Sequence, residues 1–65
     1  MIVDNIARLC KERDTSFAKL ERELGMGNGV IAKWKTSSPV VANIKAVADY
    51  FGVTVDELLK EPNGN

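Results

Sequence analysis

The side chains able to carry out chemistry in this sequence are few, and their types exclude most catalytic sites. The chain has no histidine and a single cysteine, Cys10, so it lacks the imidazole that a Ser/His/Asp triad or a catalytic zinc site commonly uses. Cys10 lies one turn beyond Ile6 and next to Leu9, which predicts a buried apolar role and not a redox sensor. We therefore expect no enzyme activity, no metal and no cofactor.

The charged side chains favour a different function, because they are unevenly distributed although the net charge is zero. Residues 1–23 contain five acids and five bases, and residues 49–65 contain four acids and Lys60. Residues 24–48, here called the cationic segment, contain Lys33, Lys35 and Lys45 and no acid. Ammonium, amide and hydroxyl groups are those that contact the phosphates of a nucleic acid. The cationic segment is thus the candidate binding surface.

The length and composition restrict the elements that can position these groups. Sixty-five residues allow one hydrophobic core. With 45% hydrophobic and 28% charged residues, the chain is predicted to be a soluble folded domain and neither disordered nor membrane-spanning. The N-terminus lacks the features of a secretory signal, so a cytoplasmic location is expected. We predict one domain over residues 1–60 and a polar C-terminal tail over 61–65.

Hydrophobic spacing predicts an all-α fold with five short helices. The first four are expected at about 2–13, 16–24, 27–35 and 40–51, and the last one ends before Pro62. Gly25 and Gly52 are expected as helix terminators, and Thr54 with Glu57 as a capping box. The predicted core consists of Ile6, Leu9, Leu20, Leu24, Ile31, Trp34, Ile44, Val47, Phe51 and Leu58.

Two sequence blocks resemble a known family. The run 16–34, SFAKLERELGMGNGVIAKW, resembles the helix-turn-helix of the phage repressor and Cro family, also called XRE-type regulators. Its Leu-Gly turn and its apolar positions Leu20, Met26, Ile31 and Trp34 match that motif. The run 47–59, VADYFGVTVDELL, resembles the closing helices of the same family. The similarity covers nearly the whole chain, and two blocks at the family's spacing are more specific than one motif.

The resemblance implies a compact five-helix bundle of the lambda-repressor-like type, in which the third helix enters the DNA major groove. It implies base contacts by Asn28, Gly29 and Lys33. It also implies contacts to the DNA backbone by residues at the start of the second helix and around the third: Ser16, Phe17, Gly27, Lys35, Thr36, Ser37, Ser38, Asn43 and Lys45.

Three residues depart from the family pattern. Phe17 stands where members often have a phosphate-binding Gln, and its ring can neither donate nor accept a hydrogen bond. Glu21 stands where a small Ala is usual, so its carboxylate is expected to extend outward or to pair with Lys33 or Arg22. Gly27 replaces a frequent Ser or Thr helix cap.

Each proposed base contact has a structural alternative. Asn28 could cap the third helix instead of binding adenine. A glycine inside a helix is destabilising, and at Gly29 it would be explained by a close approach of the helix to DNA. Alternatively, the helix begins after Gly29, and its glycine then needs no such explanation. Lys33 could be an ordinary solvated lysine. Ser37 and Ser38 could belong to a polar loop. Trp34 lies on the apolar face, which favours the core over base stacking.

The function predicted from these features is a sequence-specific double-stranded DNA-binding transcriptional regulator, with repression as the favoured role. Its expected partners are a palindromic operator and a second copy of the chain, paired weakly in solution and cooperatively on DNA. Val53, Val55 and Leu59 are candidates for that self-interface or, alternatively, for the core. The rival hypothesis is a protein-interaction module, for example an antitoxin-like regulator, in which DNA binding is weak or lost.

Overall fold

The computed structural model describes residues 2–60, and over this range the chain is all-helical. The helices are α1 (Ile2–Glu12), α2 (Phe17–Glu23), α3 (Val30–Lys33), α4 (Val41–Phe51) and α5 (Val55–Leu59). The predicted all-α class is confirmed, while the predicted polar tail, 61–65, lies outside the described residues. Within the described part, no helix has the length and apolar character needed to cross a membrane.

The core is formed where α1, α4 and α5 meet the helix pair α2 and α3. Its fully buried members include Ile6, Leu20, Ile31, Phe51 and Leu58. Of the ten predicted core residues, only Leu24 and Ile44 are half-buried, and both pack against the cluster. The N-terminal turn of α1 adds two buried side chains that were not among the ten predicted core residues, Ile2 and Val3. So small a domain uses most of its large apolar side chains for the core, with Val40, Val41, Tyr50 and Leu59 as the exposed exceptions among the described residues.

Local sequence signals fix most helix ends. The Ser16 hydroxyl accepts a hydrogen bond from the Lys19 amide, 3.2 Å away, and so caps α2. Gly25 and Gly52 take the left-handed conformation expected of helix terminators, with φ of 73° and 71°. The Thr54 hydroxyl caps α5 by accepting from the Glu57 amide at 3.1 Å. The Glu57 carboxylate lies 3.4 Å from the Lys60 ammonium.

A buried asparagine joins the two ends of the bundle. Asn5, in α1, is 2% exposed, and its side-chain Nδ2 donates to the carbonyl oxygens of Leu58 at 2.6 Å and Lys60 at 2.7 Å. These carbonyls lie in the last turn of α5 and just beyond it, where helix geometry leaves them without a partner. One side chain therefore caps α5 and attaches it to α1.

The C-terminal part of α4 is tied to α1 and α2 by two further side chains. The Arg13 guanidinium donates to the Phe51 carbonyl at 2.9 Å and lies 5.8 Å from the centre of the Phe51 ring. The Tyr50 hydroxyl donates to a Glu23 carboxylate oxygen at 2.7 Å. This hydrogen bond raises the pKa of Tyr50 above its ordinary value, because the carboxylate stabilises the protonated phenol.

We predict that Asn5→Ala lowers the free energy of unfolding by about 1–3 kcal/mol, since it removes the donor from two carbonyl groups and leaves a buried one unpaired. Urea unfolding followed by circular dichroism measures the change. The matched control is Asn28→Ala at an exposed position, which should stay within about 0.5 kcal/mol of the parent protein. Equal stability of the two variants would contradict the Asn5 clamp, by which we mean the attachment of α5 to α1 through the Asn5 side chain.

Candidate nucleic-acid interface

Helices α2 and α3 pack against each other and are joined by a longer link than the sequence predicted. The predicted third helix spanned 27–35, but α3 comprises only Val30–Lys33. After Lys33 the chain continues in tighter turns, in which Trp34 and Lys35 donate to the carbonyls three residues earlier. The alternative of a later helix start, considered for Gly29, is therefore the correct one.

The start of α3 is a tight turn over residues 27–30. The Val30 amide donates to the Gly27 carbonyl at 3.3 Å, and Gly29 has φ 80° and ψ 4°. These angles are those of the third position of a type II turn, which favours glycine because a side chain there is strained. Asn28 occupies the second position and has a negative φ. Asn28 and Gly29 thus lie on a turn in front of α3 and not inside a helix.

Glu21 caps this turn from the neighbouring helix. Its two carboxylate oxygens accept hydrogen bonds from the amides of Gly29 and Ile31, each at 3.0 Å. The residue is 3% exposed. The expectation that Glu21 extends outward or pairs with Lys33 or Arg22 was wrong, because amides without a partner at the start of α3 attract the carboxylate inward. The capping role considered for Asn28 belongs instead to Glu21.

A sequence signal for this contact did exist. Gly27 and Gly29 offer no side-chain cap, so the amides at the start of α3 needed an acceptor from elsewhere. Glu21 is the acid placed where the family brings the two helices closest together. Charge-assisted hydrogen bonds offset the cost of burying its carboxylate.

The segment 27–33, which we call the recognition segment, projects its polar groups into solvent. Asn28, Gly29 and Lys33 are all exposed. Ile31 is fully buried and Val30 is half-buried, so they anchor the segment from below. The three residues predicted to contact bases therefore share one short exposed stretch.

The residues predicted to contact the DNA backbone are mostly exposed as well. Gly27, Ser16 and the stretch from Lys35 to Ser38 lie on the surface, as does Lys45, while Asn43 is half-buried in the first turn of α4. The N-terminus of α4 has no side-chain cap and no acid in its first turn. Its amides add a partial positive charge close to Ser38.

Several of the predicted groups are engaged within the protein. The Ser16 hydroxyl serves as the cap of α2, and the half-buried Phe17 ring packs against the core. The Thr36 hydroxyl donates to the Lys33 carbonyl at 3.4 Å. Around these positions the donors left for a phosphate are backbone amides at the start of α2, the O–H of Ser16, which only accepts in the cap, and the hydroxyls of Ser37 and Ser38.

Two side chains singled out in the sequence lie in the core and outside this interface. Trp34 is buried against the other apolar residues, as predicted. Cys10 is buried too, and its burial raises the pKa of the thiol, which disfavours the reactive thiolate.

Sequence reasoning missed several exposed apolar residues beside the predicted contacts. Ala32 is exposed on α3 next to Lys33. Val40 and Val41, at the start of α4, are 61% and 71% exposed. None of the three was among the predicted core residues or the predicted DNA contacts.

The fold and the exposed segment together define a helix-turn-helix domain: α2 and α3 pack together, a glycine-containing link joins them, and exposed Lys33 and Lys35 lie on α3 and just after it. Residues 5–62, most of the chain, match the family model of the Cro/C1-type HTH DNA-binding domain. The chain belongs to this family and is a DNA-binding regulator. No curated protein and no solved structure matches it significantly.

We predict that Gly29→Ala destabilises the free protein by about 1–2 kcal/mol, because alanine is strained at a φ of 80°. Gly27→Ala is the matched control, since its backbone is outside the left-handed region and its new Cβ would lie 3.5 Å from Val30 Cγ2, an ordinary contact. Urea unfolding of both variants provides the comparison. A larger loss for Gly27→Ala would refute the assigned turn.

Proposed function

We propose that this protein is a sequence-specific transcriptional repressor that occupies its operator through the recognition segment. The observation that carries the proposal is the exposure of Asn28 and Lys33 on a segment that is anchored from below by buried Ile31 and capped by the Glu21 carboxylate. Asparagine binds the N6 and N7 edge of adenine, and lysine binds guanine O6 and N7. Gly29 brings the backbone close to the groove without a side chain in the way.

The cationic segment supplies the contacts that position the domain on DNA. Lys35 and Lys45 lie on either side of the link between α3 and α4, and the exposed hydroxyls of Ser37 and Ser38 lie within it. Residues 24–48 contain no acid, so the local field attracts phosphate although the whole chain is neutral. Lys33 contacts either a guanine or a phosphate, and the salt dependence of its variant separates the two.

The test is the salt dependence of binding to a random-sequence duplex. Each of the changes Lys35→Ala and Lys45→Ala should reduce the slope of log affinity against log salt by about 0.9, because one phosphate contact is lost. Lys33→Ala does the same if it binds phosphate, and leaves the slope unchanged if it reads a base. Lys11→Ala, an exposed lysine of α1, is the control and should leave the slope unaltered.

Unchanged slopes for Lys35 and Lys45 would remove the proposed phosphate contacts. Absence of any duplex binding at low salt would favour the rival function, a protein-interaction module. The observation that keeps this rival in view is the acidic character of residues 49–65, with Asp49, Asp56 and Glu57 exposed on α4 and α5.

We further propose that two copies bind a palindromic site cooperatively and associate only weakly in solution. One recognition segment contacts too few base pairs to select a site in a genome, so a second copy is needed. Of the apolar residues considered for a self-interface, Val53 and Val55 are half-buried against the core. Only Leu59 of these three is substantially exposed, at 48%. Such a small apolar contribution supports weak association.

Titration of the protein onto a full site and a half site, both obtained from a random duplex pool, tests this assembly. We expect a two-to-one complex on the full site with higher affinity per copy, because adjacent half-sites about 34 Å apart align the two subunits. Leu59→Ser should lower this cooperativity and leave half-site affinity unaltered. A one-to-one complex of equal affinity on both sites would contradict paired binding.

A further inference from the structure

We infer that Glu21 is a positioning residue for DNA sequence discrimination: its buried carboxylate sets the orientation of Asn28 in front of α3. The inference rests on the proposed function and extends it, since Glu21 lies on α2 and contacts no DNA itself. It assigns the accuracy of base readout to a side chain outside the recognition segment.

The peptide plane that the carboxylate holds is the one between Asn28 and Gly29. The Gly29 amide belongs to the same planar unit as the Asn28 carbonyl. Its hydrogen bond to Glu21 Oε1, at 3.0 Å, therefore fixes the rotation of the backbone between the two residues. Holding that plane fixes the position of the Asn28 Cα, from which the side chain extends.

The carboxylate also holds the turn on its other side. Glu21 Oε2 accepts from the Ile31 amide at 3.0 Å, in the first turn of α3. One rigid group thus links the turn before α3 to the helix itself and connects both to α2. The hydrogen bond to Ile31 is buried and the one to Gly29 is partly buried, so water competes with them less than it would at the surface.

The other contacts of the turn leave the peptide between Asn28 and Gly29 without a second hydrogen bond to its amide: the Met26 amide donates to the Glu21 carbonyl at 2.8 Å, the Lys33 amide donates to the Gly29 carbonyl at 3.2 Å, and Val30 packs against the core. The hydrogen bond from the Val30 amide to the Gly27 carbonyl is long, at 3.3 Å. A glycine such as Gly29 also has access to more backbone conformations than any other residue type. The helix that follows has only four residues, too few to be stable by itself. Without the carboxylate, the turn keeps its anchoring by Ile31 but loses its defined conformation.

The experiment compares Glu21→Gln and Glu21→Ala with Glu12→Gln, which removes the same charge from an exposed position on α1. Affinities are measured for a duplex selected from a random pool and for its scrambled sequence. We expect the ratio of the two affinities to fall about tenfold or more in Glu21→Ala, as in Asn28→Ala, which removes the positioned side chain itself. Glu21→Gln keeps one acceptor oxygen and should be intermediate, whereas Glu12→Gln should match the parent protein.

The slope of log affinity against log salt separates loss of positioning from a folding defect, because a misfolded variant would not keep the parent slope. The proposed lysine contacts to phosphate, Lys35 and Lys45, lie outside the turn, so the Glu21 variants should retain the parent slope on scrambled DNA. Retained discrimination in Glu21→Ala, with only lower stability, would overturn the inference. If Glu21→Ala does not fold, Glu21→Gln replaces it, and discrimination by Glu21→Gln equal to that of Glu12→Gln would overturn the inference as well.

Amide hydrogen exchange in the free protein tests the positioning separately from DNA binding. The Gly29 and Ile31 amides should exchange at least about tenfold faster in Glu21→Ala. The amides of Lys19 and Glu57, which are capped by Ser16 and Thr54, serve as internal controls. Unchanged exchange would overturn the inference. If the parent protein binds no selected duplex, the proposed function fails, and the exchange data alone decide whether Glu21 sets the turn.

Discussion

The pair of hydrogen bonds from the start of α3 to the Glu21 carboxylate is the interaction on which the candidate DNA-binding surface depends. A four-residue helix preceded by two glycines has almost no intrinsic stability. It is maintained by two attachments to the rest of the domain: Ile31 in the core and the Glu21 oxygens on its amides. Ile31 contributes apolar burial, and the Glu21 carboxylate sets the orientation of the turn relative to α2. Burial alone would leave the turn free to rotate about its apolar anchor.

The same division of roles explains how a neutral chain can carry a DNA-binding surface. Two acids next to the cationic segment serve the fold: Glu21 is buried as a cap, and Glu23 accepts a hydrogen bond from Tyr50. The cationic segment lies between them and the acidic C-terminal third, and it contains no acid to neutralise its lysines. The zero net charge therefore describes the chain and not its binding face.

Much of the fold was predictable from local patterns, because the signals for helix ends and for the apolar face are short-range. Ser16, Gly25, Gly52 and Thr54 mark helix ends in the sequence and in the structure. The errors occurred where a contact between two different helices decides the local geometry. Gly29 could not be assigned to a turn without knowing that a carboxylate eight residues earlier supplies the cap. Asn5 gave no sign that it would bind carbonyls 53 and 55 residues away.

The Asn5 clamp also has a consequence for the order in which the domain assembles. The contacts that shape the recognition segment connect residues 8 and 10 positions apart, so the chain closes only short loops to make them. The clamp between α1 and α5 closes nearly the whole described chain into a ring and has a larger entropic cost. On loop length alone, we expect the contacts between α2 and α3 to form before the long-range contact made by Asn5.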